Sequence, residues 1–426
     1  MIGTGGLEEM TNPFQVKFAD RMNQLPPYLF GMINKMKMEK RWQGDDVIDL
    51  GMGNPIDPAP GTVTEKLCEV AADPKIHRYP TIAGGMKNLK REIALYYNRN
   101  YGVDLTGAND VICTIGSKEG ISHMCLALLG PGDTVLVPAP AFPIHVYAAV
   151  IAGANVLRIP LDDEDAFLAQ LVRMCRSLYP GPKLLMLNFP HNPTGTLASK
   201  ELFREVVKYA KQYGFMVIND FAYAKITFDG YVAPSFLEVE GGLDVGVEFG
   251  SFSKSYNMAG WRLGYCVGNE QIIEGLAKIK GYYDYGIFSA IQIAGIVAMR
   301  DCDDDIAVQA AAYQKRRDVL CDGLVRMGWE VNVPKAGMFL WVKIPPPYDR
   351  MGSVRFAIEM MNRANVAVAP GAGFGEEGDG WLRLALVENE NRIRQALKQM
   401  RQSLKEIDQE VEAGTFSFEE DGIVAG

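Results

Sequence analysis

Short apolar runs alternate with amphipathic stretches through the first two thirds of the chain. Val47–Leu50, Val111–Ile115, Thr134–Pro138, Asn155–Ile159, Leu184–Phe189, Phe215–Ile218, Val245–Phe249 and Leu263–Val267 are four to six residues long and mostly apolar. Such runs are the pattern of buried strands. Between them apolar residues recur at helical spacing, as at Leu89, Ile93, Tyr96 and Tyr97 within Met86–Asn98. Helices are also predicted over Phe30–Arg41, Thr62–Ala71, Phe142–Ala152, Ser199–Tyr213 and Ile272–Gly281, and from the Gly116–Gly120 turn to Leu129. No element is predicted between Ile159 and Leu184. Strand–helix alternation implies parallel strands joined by right-handed crossovers.

Near Ile293 the pattern changes. A long helical stretch runs to about Met327, broken around Asp301–Asp305. The strand Gly337–Ile344, the helix Ser353–Ala364, the strand Trp381–Leu386 and a last helix over Asn389–Glu406 follow. The expectation is an α/β chain with a large domain over 48–293 and a smaller α+β domain over 294–426. Residues 1–47 are expected to form an arm, flexible to about Phe18, and a helix packing on the small domain. Beyond about Asp408 the acidic, Gly-rich tail is expected to be disordered.

Composition narrows the class. Of 426 residues, 48% are apolar and 22% charged, ordinary globular values. A formal net charge of -9 argues against nucleic acid as a partner. Seven Cys without a CxxC pair read as reduced thiols of a cytoplasmic protein. His77, His123, His145 and His191 show no metal-ligand spacing, so no metal is expected. Neither a secretory signal nor an apolar run long enough for a membrane span is visible.

Candidate chemistry gathers where the predicted strands end, which is where ligands bind in an α/β sheet. Ser251–Gly264 reads SFSKSYNMAGWRLG, with Lys254 among Ser251, Ser253 and Ser255, and with Arg262 beyond. A buried lysine near an arginine loses its proton easily, and a neutral amine condenses with carbonyls. Serine hydroxyls and a guanidinium make a cup for a dianion. Gly116-Ser117-Lys118-Glu119-Gly120 leads from strand into helix, an anion-binding design that lacks the Walker A spacing. Asn192 follows the strand Leu184–Phe189, and Asp220 with Tyr223 follows Phe215–Ile218. Each feature alone is ordinary. Together they fit pyridoxal 5'-phosphate. Lys254 would bind its aldehyde, and Asp220 would keep the ring nitrogen protonated as an electron sink. Tyr223 and Asn192 would donate to the ring oxygen, and Phe142 would stack on the ring. The Gly116–Glu119 turn, Ser251, Ser253 and Arg262 would hold the phosphate.

The set Asn192-Pro193-Thr194-Gly195, Asp220-x-x-Tyr223, Ser251-x-Ser253-Lys254 and Arg262 resembles the class I/II pyridoxal-phosphate-dependent aminotransferases of fold type I. The resemblance runs from Pro26-Pro27-Tyr28 to about residue 405. Leu25–Tyr28, Gly116–Gly120, Pro143–His145, Ser253–Arg262 and Asp284–Gly286 are most similar to bacterial glutamate–pyruvate (alanine) aminotransferases, with LL-diaminopimelate aminotransferases as near relatives. The resemblance implies a mostly parallel seven-stranded sheet flanked by helices. It places Ser117 and Lys118 at the cofactor, and Arg383 as a bidentate partner of the substrate α-carboxylate. Gly53, Asn192 and Tyr28 join Arg383 at the substrate. Tyr79 would reach the phosphate of a neighbouring subunit, so a homodimer is implied. The second arginine of the aspartate enzymes has no counterpart, because Lys280–Ser289 is aromatic instead. The implied reaction moves an amino group between an L-amino acid and a 2-oxo acid, with alanine and glutamate as donors and pyruvate and 2-oxoglutarate as acceptors. Diaminopimelate, methionine or aspartate as donor, and C–S β-lyase chemistry, are the alternatives. A ligand-binding regulator on this fold is disfavoured by the short segment before Leu25 and by the acidic charge.

Overall fold

The computed structural model describes residues 16–80 and 82–418. Twelve strands are present among them: β1 (Ile48–Asp49), β2 (Val111–Thr114), β3 (Thr134–Ala139), β4 (Asn155–Pro160), β5 (Leu184–Asn188), β6 (Met216–Asp220), β7 (Gly246–Ser251), β8 (Gly264–Gly268), β9 (Phe339–Lys343), β10 (Val366–Ala367), β11 (Ala369–Pro370) and β12 (Trp381–Ala385). Seven form the α/β sheet, in the order β2-β8-β7-β6-β5-β3-β4. Only β8 runs against its neighbours. The carboxyl ends of β2, β3, β5, β6 and β7 therefore share one rim, and the amino end of β8 joins them. Ser251 and Thr114 both register with Gly264, while Asn188 registers with Asp220.

Helices cover both faces because each presents one apolar stripe. Lys200–Tyr213 buries Leu202, Phe203, Val206, Val207 and Ala210. Ser199 caps it by accepting from Leu202 N, and Gly214 ends it at φ 75°. The helix Glu164–Ser177 fills the interval where no element is predicted. Asp163 caps it, and Phe167, Leu171 and Cys175 stand at i, i+4 and i+8 on the sheet.

A second core collects β9, β10 and β12 with the helices Gly352–Ala364 and Glu390–Glu412, and β11 pairs with β12. The run Val47–Leu50 belongs here, since β1 pairs in parallel with β10 and not with the large sheet. Residue 293 falls inside the helix Ser289–Asp301, which packs Ala294, Val297 and Ala298 on the large-sheet core.

The expected disorder beyond Asp408 is corrected as far as residue 418. The last helix continues to Glu412. Phe418 is buried against Tyr348, and its carbonyl accepts from Arg355. Arg363 makes two 2.8 Å bonds to Glu410, and Tyr348 donates to Asp408 at 2.7 Å. Two acidic side chains at the start of the expected tail, Asp408 and Glu410, are thus paired with groups from distant segments. The remaining tail and the first part of the arm lie outside the described residues. No helix among the described residues is long and apolar enough to cross a membrane.

One carboxyl lies wholly inside the large unit. Glu248 of β7 accepts from Asn219 Nδ2 and Phe236 N at 2.7 Å and from Ser235 Oγ at 2.5 Å. Burial nevertheless raises its pKa to about 7. The folded state thus holds this proton more tightly than the unfolded chain. The group's stabilising contribution is complete below the unfolded carboxyl pKa of about 4.3 and is lost as pH rises through about 7. Glu248→Gln should therefore gain on the parent between pH 5 and pH 8, by up to about 3 kcal/mol. Urea unfolding at the two pH values measures this, and an unchanged difference would refute it.

Candidate active site

The rim opens into a cavity of about 720 Å3 between the two cores. Tyr28, Gly53, Ser117, Lys118, Phe142, Asn192, Asp220, Tyr223, Ser251, Ser253, Lys254, Arg262 and Arg383 all line it. Residues from eight separate stretches of sequence are gathered here by the fold.

Lys254 stands in the one-turn helix Phe252–Ser255, which Ser251 caps by accepting from Ser253 N at 3.2 Å. Its Nζ donates to Gly53 O. Burial, then the charges of Arg383 and Arg262, lower the Lys254 pKa to about 7, against the pull of Asp220. Half of these amines are neutral at that pH. Asp220, the last residue of β6, is bonded through Oδ2 to His145 Nε2 at 2.9 Å. His145 is buried on the helix Pro143–Ile151. From the sequence His145 entered only as a histidine without metal-ligand spacing and as part of the Pro143–His145 stretch, and its lone position in an apolar helix carried no sign of this partner.

Arg383 on β12 is buried, and burial lowers its pKa to about 10. It donates through Nη1 to Asn192 Oδ1 at 3.0 Å and through Nη2 to Gly51 O at 2.9 Å. Its guanidinium carbon stands 4.0 Å from the Phe339 ring centre and 4.8 Å from that of Phe374. Nε has no partner, although it is buried. An unpaired buried donor on a cation is a demand for an anion. Asn192 Nδ2 reaches Tyr223 Oη at 3.4 Å, and burial raises the Tyr223 phenol above its usual range. A Cβ on Gly53 would lie 2.5 Å from the Phe339 ring, so only glycine lets this backbone pass.

Gly116, at φ 75°, precedes the helix Ser117–Leu128. A Cβ there would sit 2.3 Å from Arg262 Nη2. Arg262, itself at φ 55°, is steered by bonds to Ala259 O at 3.1 Å and Ile115 O at 3.4 Å. The first N–H groups of a helix lack intrahelical acceptors, and here they meet a guanidinium and two serines. This cradle fits a phosphate dianion. With the amine of Lys254 and the carboxylate of Asp220 on one side of it, the residues present fit pyridoxal phosphate.

Tyr79 does not join the others. It is 85% exposed on a surface loop, its ring edge-on to Tyr285 at 5.9 Å. The cavity also holds charged residues that motif reading passed over: Lys37, paired with Asp49 at 2.6 Å, together with Arg41 and Glu388. Among the described residues, Glu119, His123 and Asp284 form a group of metal-binding type. Lys280 Nζ lies among them, 3.1 Å from Glu119 and 2.7 Å from Asp284, and supplies the positive charge.

Residues 45–407 match the family model for aminotransferase class I and II. The chain is 49% identical over 381 residues to the glutamate-pyruvate aminotransferase AlaC of Escherichia coli strain K12, covering 89% of this chain and 92% of that one. It is 40% identical over 385 residues to an LL-diaminopimelate aminotransferase of Halothermothrix orenii, covering 90% and 98%. The substrate-bound structure of BacF from Bacillus subtilis superimposes with a TM-score of 0.86 at 30% identity, over 91% of this chain and 98% of that one.

The charges around Lys254 set its titration. Removing a positive neighbour favours the ammonium form, so Arg383→Gln should raise the Lys254 midpoint by about 0.5–1 pH unit. Mass-spectrometric measurement of Lys254 acylation against pH in the cofactor-free protein checks this. A midpoint unmoved or lowered would contradict the assignment of charges.

Proposed function

The chain belongs to the class I and II aminotransferases and is a transaminase, and from that premise we propose that it exchanges amino groups between alanine and glutamate and their 2-oxo acids, using pyridoxal phosphate in the cytoplasm as a homodimer. The observation that carries this reading is the buried amine of Lys254 in one cavity with the Asp220 carboxylate and the Arg383 guanidinium. The similarity to AlaC favours alanine and glutamate.

Arg383 binds the substrate α-carboxylate, its unpaired Nε answering the anion. Asn192 and the Gly53 backbone bound the same end, and Tyr28 borders it. Gly116, Ser117, Lys118, Ser251, Ser253 and Arg262 hold the cofactor phosphate, and Tyr79 reaches the phosphate of a second subunit. Phe142 covers one ring face. Asp220 keeps the ring nitrogen protonated, and His145 holds Asp220 in place. Bound pyridoxal phosphate supplies the sink for the electrons left when the substrate Cα proton departs. Lys254 Nζ, neutral above about pH 7, takes up that proton. Proton transfer by a positioned base is worth about 10²–10⁴ in rate. Tyr223 and Asn192 donate to the ring oxygen.

A second reading has its own support. Lys37, Arg41, Asp49 and Glu388 place both signs of charge at the cavity, which suits a substrate with a zwitterionic far end such as diaminopimelate. The relatives at 40% identity carry that name.

Lys254→Ala should retain cofactor and lose at least about 10²-fold in turnover. Full activity would dismiss the lysine as the base. Asp220→Ala should fall comparably, and transamination at the parental rate would remove Asp220 from its role. A panel of amino donors against pyruvate and 2-oxoglutarate separates the substrate readings. Alanine and glutamate should exceed LL-diaminopimelate about tenfold or more in kcat/KM. The reverse order would select the second reading.

A further inference from the structure

Behind Lys254 runs the helix Asp303–Arg326, which carries Gln309, Tyr313 and Arg316 at i, i+4 and i+7 on one face. Gln309 Nε2 donates to the backbone oxygen of Lys254 and to Asn257 Oδ1, both at 2.6 Å. Asn257 Nδ2 in turn donates to Pro58 O at 3.3 Å. Arg316 forks onto Asp57 at 2.7 and 2.8 Å. Tyr313 is buried between them and belongs to the second core. Asp57 and Pro58 lie a few residues beyond Gly53, whose carbonyl accepts from Lys254 Nζ.

One helix face therefore holds the backbone of the lysine directly and, through Asp57, the segment that carries the carbonyl its amine meets. The turn Phe252–Ser255 ends after a single turn, and carbonyls at a helix end need outside donors. Gln309 is that donor for Lys254, and the two protons of its amide meet two acceptors. A side chain with only acceptor atoms would set oxygen against oxygen. The Arg316–Asp57 fork fixes the segment toward which the amine points.

We propose that Gln309 is a positioning residue for Lys254, its amide fixing the backbone of the reacting lysine while the Arg316–Asp57 fork fixes the facing Gly53 segment. The inference rests on Lys254 being the reacting amine. Asp220, Arg262 and Arg383 are the charges that face this amine, so a lysine released from Gln309 changes its distance to each of them.

The test uses holoenzyme with Gln309→Met, which removes the donor, and Gln309→Glu, which keeps the shape. Both should lower kcat about tenfold or more with KM changed less than about threefold, the mark of misplacement and not of lost binding. Both should also shift the midpoint of the pH titration of the cofactor's visible absorbance by about half a unit or more. Parental kcat and midpoint in both variants would overturn the proposal. If Gln309→Met does not fold, Asn257→Ala and Asp57→Asn carry the test, and unmoved midpoints in both overturn it equally. Lys254→Ala tells the two failures apart. If that variant still turns over, the functional reading itself fails. If it is dead while the Gln309 variants behave as parent, only the positioning role fails.

Discussion

The arrangement depends on keeping one amine dry among positive charges. Burial disfavours the ammonium form of Lys254, and Arg383 and Arg262 disfavour it further. Against these cations the same wall of the cavity offers Asp220, already engaged by His145. The positive surplus that remains makes the cavity attractive to anions. Arg383 keeps an unpaired donor, and Arg262 lies so close to Gly116 that a Cβ there would stand 2.3 Å from its Nη2. Under the proposed function these groups meet the phosphate of the cofactor and the carboxylate of the substrate. The site also lowers the pKa of the Lys254 amine to about 7, so that half of it is neutral there.

That concentration of charge is delivered by the sheet. Parallel strands send their carboxyl ends to one rim, and the single reversed strand β8 brings Arg262 back to it. Gly264 registers with both Ser251 and Thr114, so the guanidinium two residues before it lands beside Gly116. The second core completes the cavity from the other side, with Arg383 on β12 and Phe339 on β9 forming its wall. The helix Asp303–Arg326 touches both sides. It contributes Tyr313 and Leu320 to the second core and Gln309 to the turn of Lys254.

Much of this was legible before any coordinates. Strands covered by helices on both faces are apolar on both, so β2, β3, β5, β6, β7 and β8 stand out as mostly apolar runs. Gly116, Asn192, Asp220 and Lys254 come after those runs and Arg262 just before the last of them, and their position at strand ends follows from that. Other features were not legible for definite reasons. The helix Glu164–Ser177 is the exception, since Phe167, Leu168, Leu171, Met174 and Cys175 stand at helical spacing and its stripe was readable. The Val47–Leu50 run looks like any buried strand, but its partner Val366–Ala367 lies more than 300 residues away. The acidic segment after Asp408 reads as solvated because Arg363 and Tyr348, which pair with it, are remote in sequence.

By itself the sequence determined the α/β class, the order of strands and helices over most of the chain, and the reactive groups at the strand ends. These follow from local periodicity and from side-chain chemistry, which need no knowledge of neighbours. Only the tertiary structure decided which groups touch. It placed His145 on Asp220, left Arg383 Nε unpaired, set Gln309 on the carbonyl of Lys254, and left Tyr79 on the surface away from its own chain's cavity. Charge, burial and hydrogen bonding act across a few ångströms of space, and residues that meet there are separated by tens to hundreds of positions along the chain.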